Sequence, residues 1–285
     1  MCIAVFLWES HPRYSFLLLL NRDEFHSRDT TRLTWWDAGD GCQVLGGKDN
    51  VRGGTWLACN RQGKIAFITN LRQYPSDLLP SSKSRGFLPL RFLQCDLTPR
   101  QYAEEVVAGA AEYEGFNLVL VDTLSSSMVY VTNGGKSKIP AVSDVLPGLH
   151  VLSNSSWDSP WPKALRLGDA AKEYLETHKS EELCLEDMAQ ALMNDTTKDD
   201  YSMLPGILAP EWEHLASSVF VEMDTPLGRY GTRSTSGVSM ARNGFFTFYE
   251  RHLHLGNWKH HTETYQCENQ LKYGKRLGFK MVAKL

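Results

Sequence analysis

Met1-Cys2-Ile3-Ala4-Val5-Phe6-Leu7-Trp8 opens the chain, and after Glu9-Ser10-His11-Pro12-Arg13 it continues Tyr14-Ser15-Phe16-Leu17-Leu18-Leu19-Leu20-Asn21-Arg22-Asp23-Glu24. Ile3–Trp8 and residues 14–20 are short, apolar and β-compatible, and His11-Pro12-Arg13 is turn material between them, so the stretch predicts an antiparallel hairpin. Neither run alternates with polar residues. Both faces of the hairpin must therefore be covered by apolar layers, which a single solvated sheet does not provide.

Working outward, residues 55–60 and Lys64–Asn70 flank Arg61-Gln62-Gly63 as a second hairpin, and Phe116–Asp122 with 128–132 makes a third. Further strands are expected at 149–153, 217–222, 230–238 and 245–251, while Trp35-Trp36 are read as loop. Helices fall in two pairs, 85–94 with 99–113 and 160–178 with 182–194. Thr98, Pro99 and Gln101 form a capping-box start for the second of these. Ser159 is the expected cap of the third, and 194–210 is the stretch most prone to disorder. Strands, two helices, strands, two helices and strands is not βαβ alternation. The order predicts an α+β fold, a four-layer α-β-β-α sandwich of antiparallel sheets, as a single domain over 1–285.

Composition limits the function classes. Hydrophobic residues make up 42% of the 285 and charged residues 22%, enough to bury a large core. A net charge of −3 offers no general attraction to nucleic acid or anionic lipid. The apolar runs fall far short of the roughly 18 residues that cross a bilayer, and no secretory signal precedes them. The six cysteines (Cys2, Cys42, Cys59, Cys95, Cys184, Cys267) include no Cys-x-x-Cys pair, so neither a disulfide framework nor a structural zinc is expected, and a reduced compartment fits.

Cys2 is the residue whose position has chemical consequences. Removal of Met1 exposes an α-amine, with an ordinary pKa of about 7.7–8.0, on the residue that carries the thiol. Nucleophile and base then arrive together. The alternative is that Met-Cys is a start codon followed by an ordinary small residue. The return strand ends in Asn21-Arg22-Asp23-Glu24, which the hairpin brings back beside Cys2. A carboxylate at Asp23 can orient the amine, and Arg22 favours a thiolate. The bland account has these polar residues simply leaving the sheet into solvent. Acyl transfer also needs oxyanion donors, for which Asn70 and Asn154 at strand ends and Arg233 on a late strand are candidates.

His252, His254, His260 and His261 could serve a metal or haem iron, but no acid or cysteine at ligand spacing joins them. A solvated strand end and turn is the expected account. The glycine pairs Gly46-Gly47 and Gly53-Gly54 lack a phosphate-loop ending.

The same residues carry a family resemblance. Met1-Cys2-Ile3, Asn21–Phe25 with Ser27-Arg28, Gly53-Gly54-Thr55-Trp56-Leu57, Thr69-Asn70, Ser84-Arg85-Gly86, Gly115-Phe116-Asn117-Leu118, Leu152-Ser153-Asn154, Pro160-Trp161 and Gly231-Thr232-Arg233 together resemble the transport and Golgi organisation 2 family, defined by its NRDE domain. That family is similar in turn to N-terminal-nucleophile (Ntn) cysteine hydrolases. The resemblance implies Cys2 as nucleophile, Asp23 as its orienting carboxylate, Asn70 and Asn154 at an oxyanion hole, and Arg233 as a site arginine, while Arg22 is this chain's own arginine within the motif. The hydrolases usually carry an arginine just before their Asn-x-Asp unit, where this chain has Leu20. The implied roles are cleavage of a non-peptide carbon–nitrogen bond without a cofactor or, alternatively, carriage of haem or an acyl lipid in the same cleft. The implied setting is the cytoplasm, with links to Golgi organisation, secretion and lipid or haem homeostasis at Golgi or mitochondria.

Overall fold

A computed structural model of the protein describes residues 2–39, 41–79, 81–134, 139–179 and 181–268. Along the chain lie β1 (Ile3–Trp8), β2 (Tyr14–Phe25), β3 (Thr30–Asp37), β4 (Gln43–Asp49), β5 (Leu57–Asn60), β6 (Lys64–Asn70), α1 (Phe87–Gln94) and α2 (Pro99–Ala108). They are followed by β7 (Phe116–Asp122), β8 (Ser127–Thr132), β9 (Ala141–Asp144), β10 (Gly148–Leu152), α3 (Pro162–Thr177) and α4 (Leu185–Leu192). The chain then adds α5 (Pro210–Leu215), β11 (Glu222–Thr225), β12 (Gly228–Ala241), β13 (Phe245–His254) and β14 (Asn257–Gln266).

One antiparallel sheet runs β10-β1-β2-β12-β13-β14 with β11 on β12, and the other runs β3 to β9 in chain order. The expected apolar hairpin is present, with Ile3 opposite Asn21 and Trp8 opposite Phe16. Side chains alternate between its two faces. Ala4, Phe6, Trp8, Phe16, Leu18 and Leu20 turn into the core between the sheets, where they join Phe67, Phe116, Leu118 and Leu120. Ile3, Val5, Leu7, Leu17 and Leu19 turn the other way, onto Leu167, Ala171, Met188 and Leu192 of α3 and α4. The other sheet is covered by α1 and α2. The four-layer α-β-β-α sandwich follows from the doubly buried strands.

Several boundaries differ from the sequence reading. β2 runs five residues past Leu20, because Asn21–Phe25 keep pairing with β12 and their polar side chains find partners there. Asn21 Nδ2 donates to the carbonyls of Met193 (2.9 Å) and Val219 (3.0 Å), and its Oδ1 accepts from Thr235 (2.7 Å). Trp35 and Trp36 lie on strand β3, with Trp36 Nε1 bonded to the Gly46 carbonyl across the ladder (3.1 Å). Residues 217–221 are not strand, and pairing begins at Glu222. Ser159 does not cap α3, since Trp161 occupies that position without a side-chain bond. α2 starts at the Thr98–Gln101 capping box as expected but stops at Ala108, where Gly109 ends the helix and a 3₁₀ turn follows. The stretch 194–210 is held in place, partly by Arg166, which bonds Asp195 (3.3 Å) and Asp199.

Candidate active site

Cys2 stands immediately before β1 and shares the inter-sheet direction of Ala4 and Phe6. At this end the sheets enclose a cleft of about 850 Å³ instead of packed core. Cys2, Arg22, Asp23, Asn70 and Asn154 all line it. Five residues from four separate segments are thus brought together, because antiparallel pairing returns alternate strand ends to the same side.

The backbone N–H of Asp23 faces the Cys2 thiol closely enough to favour its ionised form. The Cys2 carbonyl accepts from Ser153 Oγ at 3.1 Å. Burial pushes the thiol above its usual range and the Asp23 carboxylate adds to this, while the Arg22 guanidinium and the Asp23 N–H pull it back. Arg22 is itself buried, its guanidinium carbon over Trp56 at 4.2 Å from the ring centre. Asp23 is fixed by Thr232 Oγ1 at Oδ1 (2.7 Å) and by Tyr230 Oη at its carbonyl (3.3 Å). Burial raises its carboxyl, opposed by the charges of Lys163 and Arg22.

Asn154 is buried, and its Nδ2 donates to the Asn70 carbonyl (2.8 Å) while its own carbonyl accepts the Arg72 N–H (2.8 Å). It therefore staples the end of β6 as well as lining the cleft. Asn70 carries an exposed side chain on the same wall. Arg233 is placed differently. It is the extra residue of a β-bulge between Thr232 and Ser234, and its Nη1 reaches the carbonyls of Phe25 (3.4 Å) and Arg28. It is not among the residues lining the cleft.

Sequence reasoning gave no role to several groups that shape this site. Arg28 bonds Asp49 through Nε (2.8 Å) and Nη2 (2.7 Å) on one wall. Arg85 donates to the Gly115 carbonyl (2.7 Å) on another. Gly54 and Gly86 let two backbones touch beneath Arg85: a Cβ on Gly54 would sit 2.3 Å from the Gly86 carbonyl carbon. Arg72 pairs with the fully buried Glu213 (3.3 Å), whose carboxylate also accepts the N–H groups of Gly206, Ile207 and Leu208. That pins a loop whose Leu208, with Trp212, gives the cleft an apolar wall. Lys163 is buried in the first turn of α3, its Nζ bonded to the Ala216 carbonyl (3.1 Å). Their signal was adjacency: Trp56, Arg85 and Lys163 each lie in or beside a quoted motif.

The lining carries six basic side chains (Arg22, Arg28, Arg52, Arg72, Lys83, Arg85) against four acidic ones (Asp23, Glu24, Asp49, Glu114). Arg72 and Lys83 are offset by Glu213 and Glu112 just outside the lining, whereas Arg52 and Arg85 make no ion pair among the described residues and can meet an anionic group on whatever enters. The histidines stand elsewhere, on the β13–β14 hairpin, where His252, His254, His260 and His261 border a groove with Arg32 and Lys259. Among the described residues no three His, Cys, Asp or Glu side chains gather as a metal site, and all six cysteines are free thiols.

Residues 1–255 match the family profile described as Transport and Golgi organisation 2. The chain belongs to that family. A Bos taurus protein, "Transport and Golgi organization protein 2 homolog", is 30% identical over 95% of this chain and 100% of its own. The Mus musculus homologue is 27% identical over 93% and 98%. The Drosophila melanogaster protein of that name is 26% identical over 84% and 87%. Among solved structures, two variants of the conjugated bile acid hydrolase from Clostridium perfringens share the fold. They superpose with TM-scores of 0.50 and 0.53 at 10% and 12% identity, each over 93% of this chain and 97% of its own. Membership accounts for the NRDE segment at the heart of the cleft. Among the described residues, no helix of this family member is long and apolar enough to cross a membrane.

Proposed function

We propose that the protein is a cysteine amidohydrolase of the N-terminal-nucleophile kind, acting on an anionic substrate at a carbon–nitrogen bond outside peptides. The observation that carries this is Cys2 immediately before β1, in an open cleft that Arg22, Asp23, Asn70 and Asn154 also line. Once Met1 is removed, the thiol proton passes to the Cys2 α-amine and the sulfur adds to the substrate carbonyl carbon. Collapse of the tetrahedral adduct breaks the carbon–nitrogen bond, and the leaving amine takes that proton. The acyl group remains as a thioester on Cys2. Water, deprotonated by the same amine, then releases the acid and restores the thiol. Asn70 and Asn154 are the oxyanion donors in this scheme, and Arg28, Arg52 and Arg85 meet the substrate's negative charge. The activity belongs in the cytoplasm, beside the Golgi that the family's name mentions or beside mitochondria.

A second reading has the cleft holding an acyl lipid or haem without cleaving it. The burial that pushes the Cys2 thiol up favours it, and for haem Cys2 is the single His, Cys, Met or Tyr among the lining residues. Intact mass first establishes that Met1 is gone. The protein is then incubated with N-acyl amino acids and N-acyl taurines, and peptide mass spectrometry looks for the thioester. The enzyme reading expects an acyl adduct on Cys2 and free amine, both lost in Cys2→Ala. Binding of these amides with neither adduct nor amine sinks hydrolysis and leaves carriage.

A further inference from the structure

The β13–β14 hairpin sets basic groups against one another. His252 stands directly opposite Lys259 in the ladder, on the face that carries Phe246 and Phe248 into the core between the sheets. Like charges in that register are destabilising on their own. A third basic group arrives from the other sheet. Arg32 lies in the register shift of β3 between Thr31 and Thr34, an irregularity of the kind that re-aims a side chain off its ladder. Its place is fixed by the next residue, because the Leu33 N–H donates to Glu250 Oε2 at 2.7 Å, two positions before His252 on the same face. Arg32, His252, His254, Lys259, His260 and His261 together border a groove of about 280 Å³ with no carboxylate in its lining.

The neighbouring acids are already engaged. Glu263 pairs with His261 at 2.8 Å and Glu186 with His260 at 3.0 Å. Glu250 is buried on the Leu33 N–H, 3.6 Å from His252 Nδ1. Arg32 gives Nη1 to the Leu33 carbonyl (3.1 Å), and neither it nor Lys259 has an ion-pair partner among the described residues. His252 Nδ1 is buried without a hydrogen bond. Two permanent cations and an unsatisfied ring nitrogen thus meet at one groove.

We propose that this groove is a second binding site, taking a phosphate monoester between Arg32, Lys259 and His252. Charge selects the class. Two permanent cations match the charge of about −1.5 to −2 that a phosphate monoester carries at neutral pH, whereas one carboxylate leaves a cation unanswered. Geometry agrees with charge: the three donors come from three strands, and a phosphate offers each of them its own oxygen. A metal cation is repelled by Arg32 and Lys259. The groove shares no lining residue with the Cys2 cleft, so the site stands whatever Cys2 does.

The test is histidine-ring NMR of the full chain, titrated with methyl phosphate at constant ionic strength against chloride. The His252 and His254 signals should shift saturably at millimolar concentration, while His178 and His214, outside the groove, stay still. Burial and the surrounding cations hold the His252 ring down to about 4, and a bound anion should raise that midpoint. Arg32→Gln and Lys259→Gln change exposed side chains and should each weaken binding about tenfold, the equivalent of one charge-assisted hydrogen bond. Flotation with phosphatidylcholine vesicles carrying phosphatidylinositol monophosphate, set beside free inositol monophosphate, separates the two sources. Capture by the vesicles that is lost in Arg32→Gln assigns a lipid headgroup, and binding of the free ester alone assigns a soluble metabolite. Absence of a saturable shift, a shift matched by chloride, or an affinity unmoved in either variant overturns the proposal.

Discussion

Arg22 lies 4.2 Å over the Trp56 ring, so a residue of the first sheet and one just before β5 of the second meet in the wall of the cleft. Both are more than nine-tenths buried, Arg22 at 6% and Trp56 at 8% exposure. The nearest acid, Glu24, stands 3.9 Å away and contributes little at that distance. The planar guanidinium on the ring face is then the main contact that fixes Arg22. Arg22→Lys keeps the charge but loses the stack, and is expected to cost about 1 kcal/mol of stability. A double-mutant cycle with Trp56→Leu, read by urea denaturation, should return a coupling of about that size. A coupling near zero removes that contact.

How far the sequence was legible follows from the same residues. Leu17–Leu20 and Ile3–Trp8 declared two apolar faces, and two apolar faces on one hairpin require four layers. Asn21–Glu24 looked like an exit from the sheet because polarity ended the apolar run. The strand goes on, since Asn21 and Asp23 are satisfied by Thr235, Thr232 and backbone carbonyls supplied by β12 and by segments some 170–200 residues away. No local pattern carries that information. Cys2, Arg22, Asp23, Asn70 and Asn154 were legible as neighbours in one cleft because each stands where an apolar run begins or ends. Lys163 and Glu213 were not, because a charged residue near a helix start reads as surface, and only the packed structure reveals that these two are buried.

Glu213 is fully buried and organises the loop behind the apolar wall through three backbone N–H groups and Arg72. Glu213→Ala removes a buried ion-pair partner of Arg72 and leaves those three N–H donors without their acceptor. The expected loss is about 3–5 kcal/mol, read as a lowered urea midpoint with faster hydrogen exchange at 206–208. Glu213→Gln retains two acceptor sites on one oxygen and should recover part of it. A Glu213→Ala protein as stable as wild type contradicts this account.

Glu250, on β13, accepts the Leu33 N–H of β3 through Oε2 (2.7 Å) and so ties one sheet to the other. Burial pushes its carboxyl up to about 7. In the folded state it therefore keeps a proton that the unfolded chain has already released. Stability must fall as pH rises from about 4.5 to 7, by up to about 3 kcal/mol for this one group. His252, on the same face, is held down to about 4 by burial and by Arg32 and the neighbouring histidines, and it tilts stability the opposite way. The readout is accordingly the difference between wild type and Glu250→Gln. Urea midpoints measured at pH 5 and pH 8 should show Glu250→Gln gaining on wild type at the higher pH. Parallel curves refute the titration of Glu250 in this window.

Arg233 tests what a β-bulge does here. A bulge adds one residue to a strand and re-aims its side chain. The extra residue between Thr232 and Ser234 turns its guanidinium toward the carbonyls of Phe25 and Arg28, at the turn that follows β2. The backbone it holds carries Arg28, whose own side chain pairs with Asp49 on the cleft wall. Arg233→Ala removes both ties, and charged hydrogen bonds of this kind are worth about 1.5–3 kcal/mol each before solvent takes their place. Water reaches this half-buried position, so the net loss should be about 1–2 kcal/mol. Hydrogen exchange should accelerate at residues 25–28, and the Asn21–Asp23 segment, bonded independently to Thr235 and Thr232, should keep its protection. Cys2 alkylation should then change by less than about twofold, because Arg233 is not among the charges that reach the thiol. Slowed exchange at 25–28, or a large drop in Cys2 reactivity with the turn intact, would return Arg233 to the site itself.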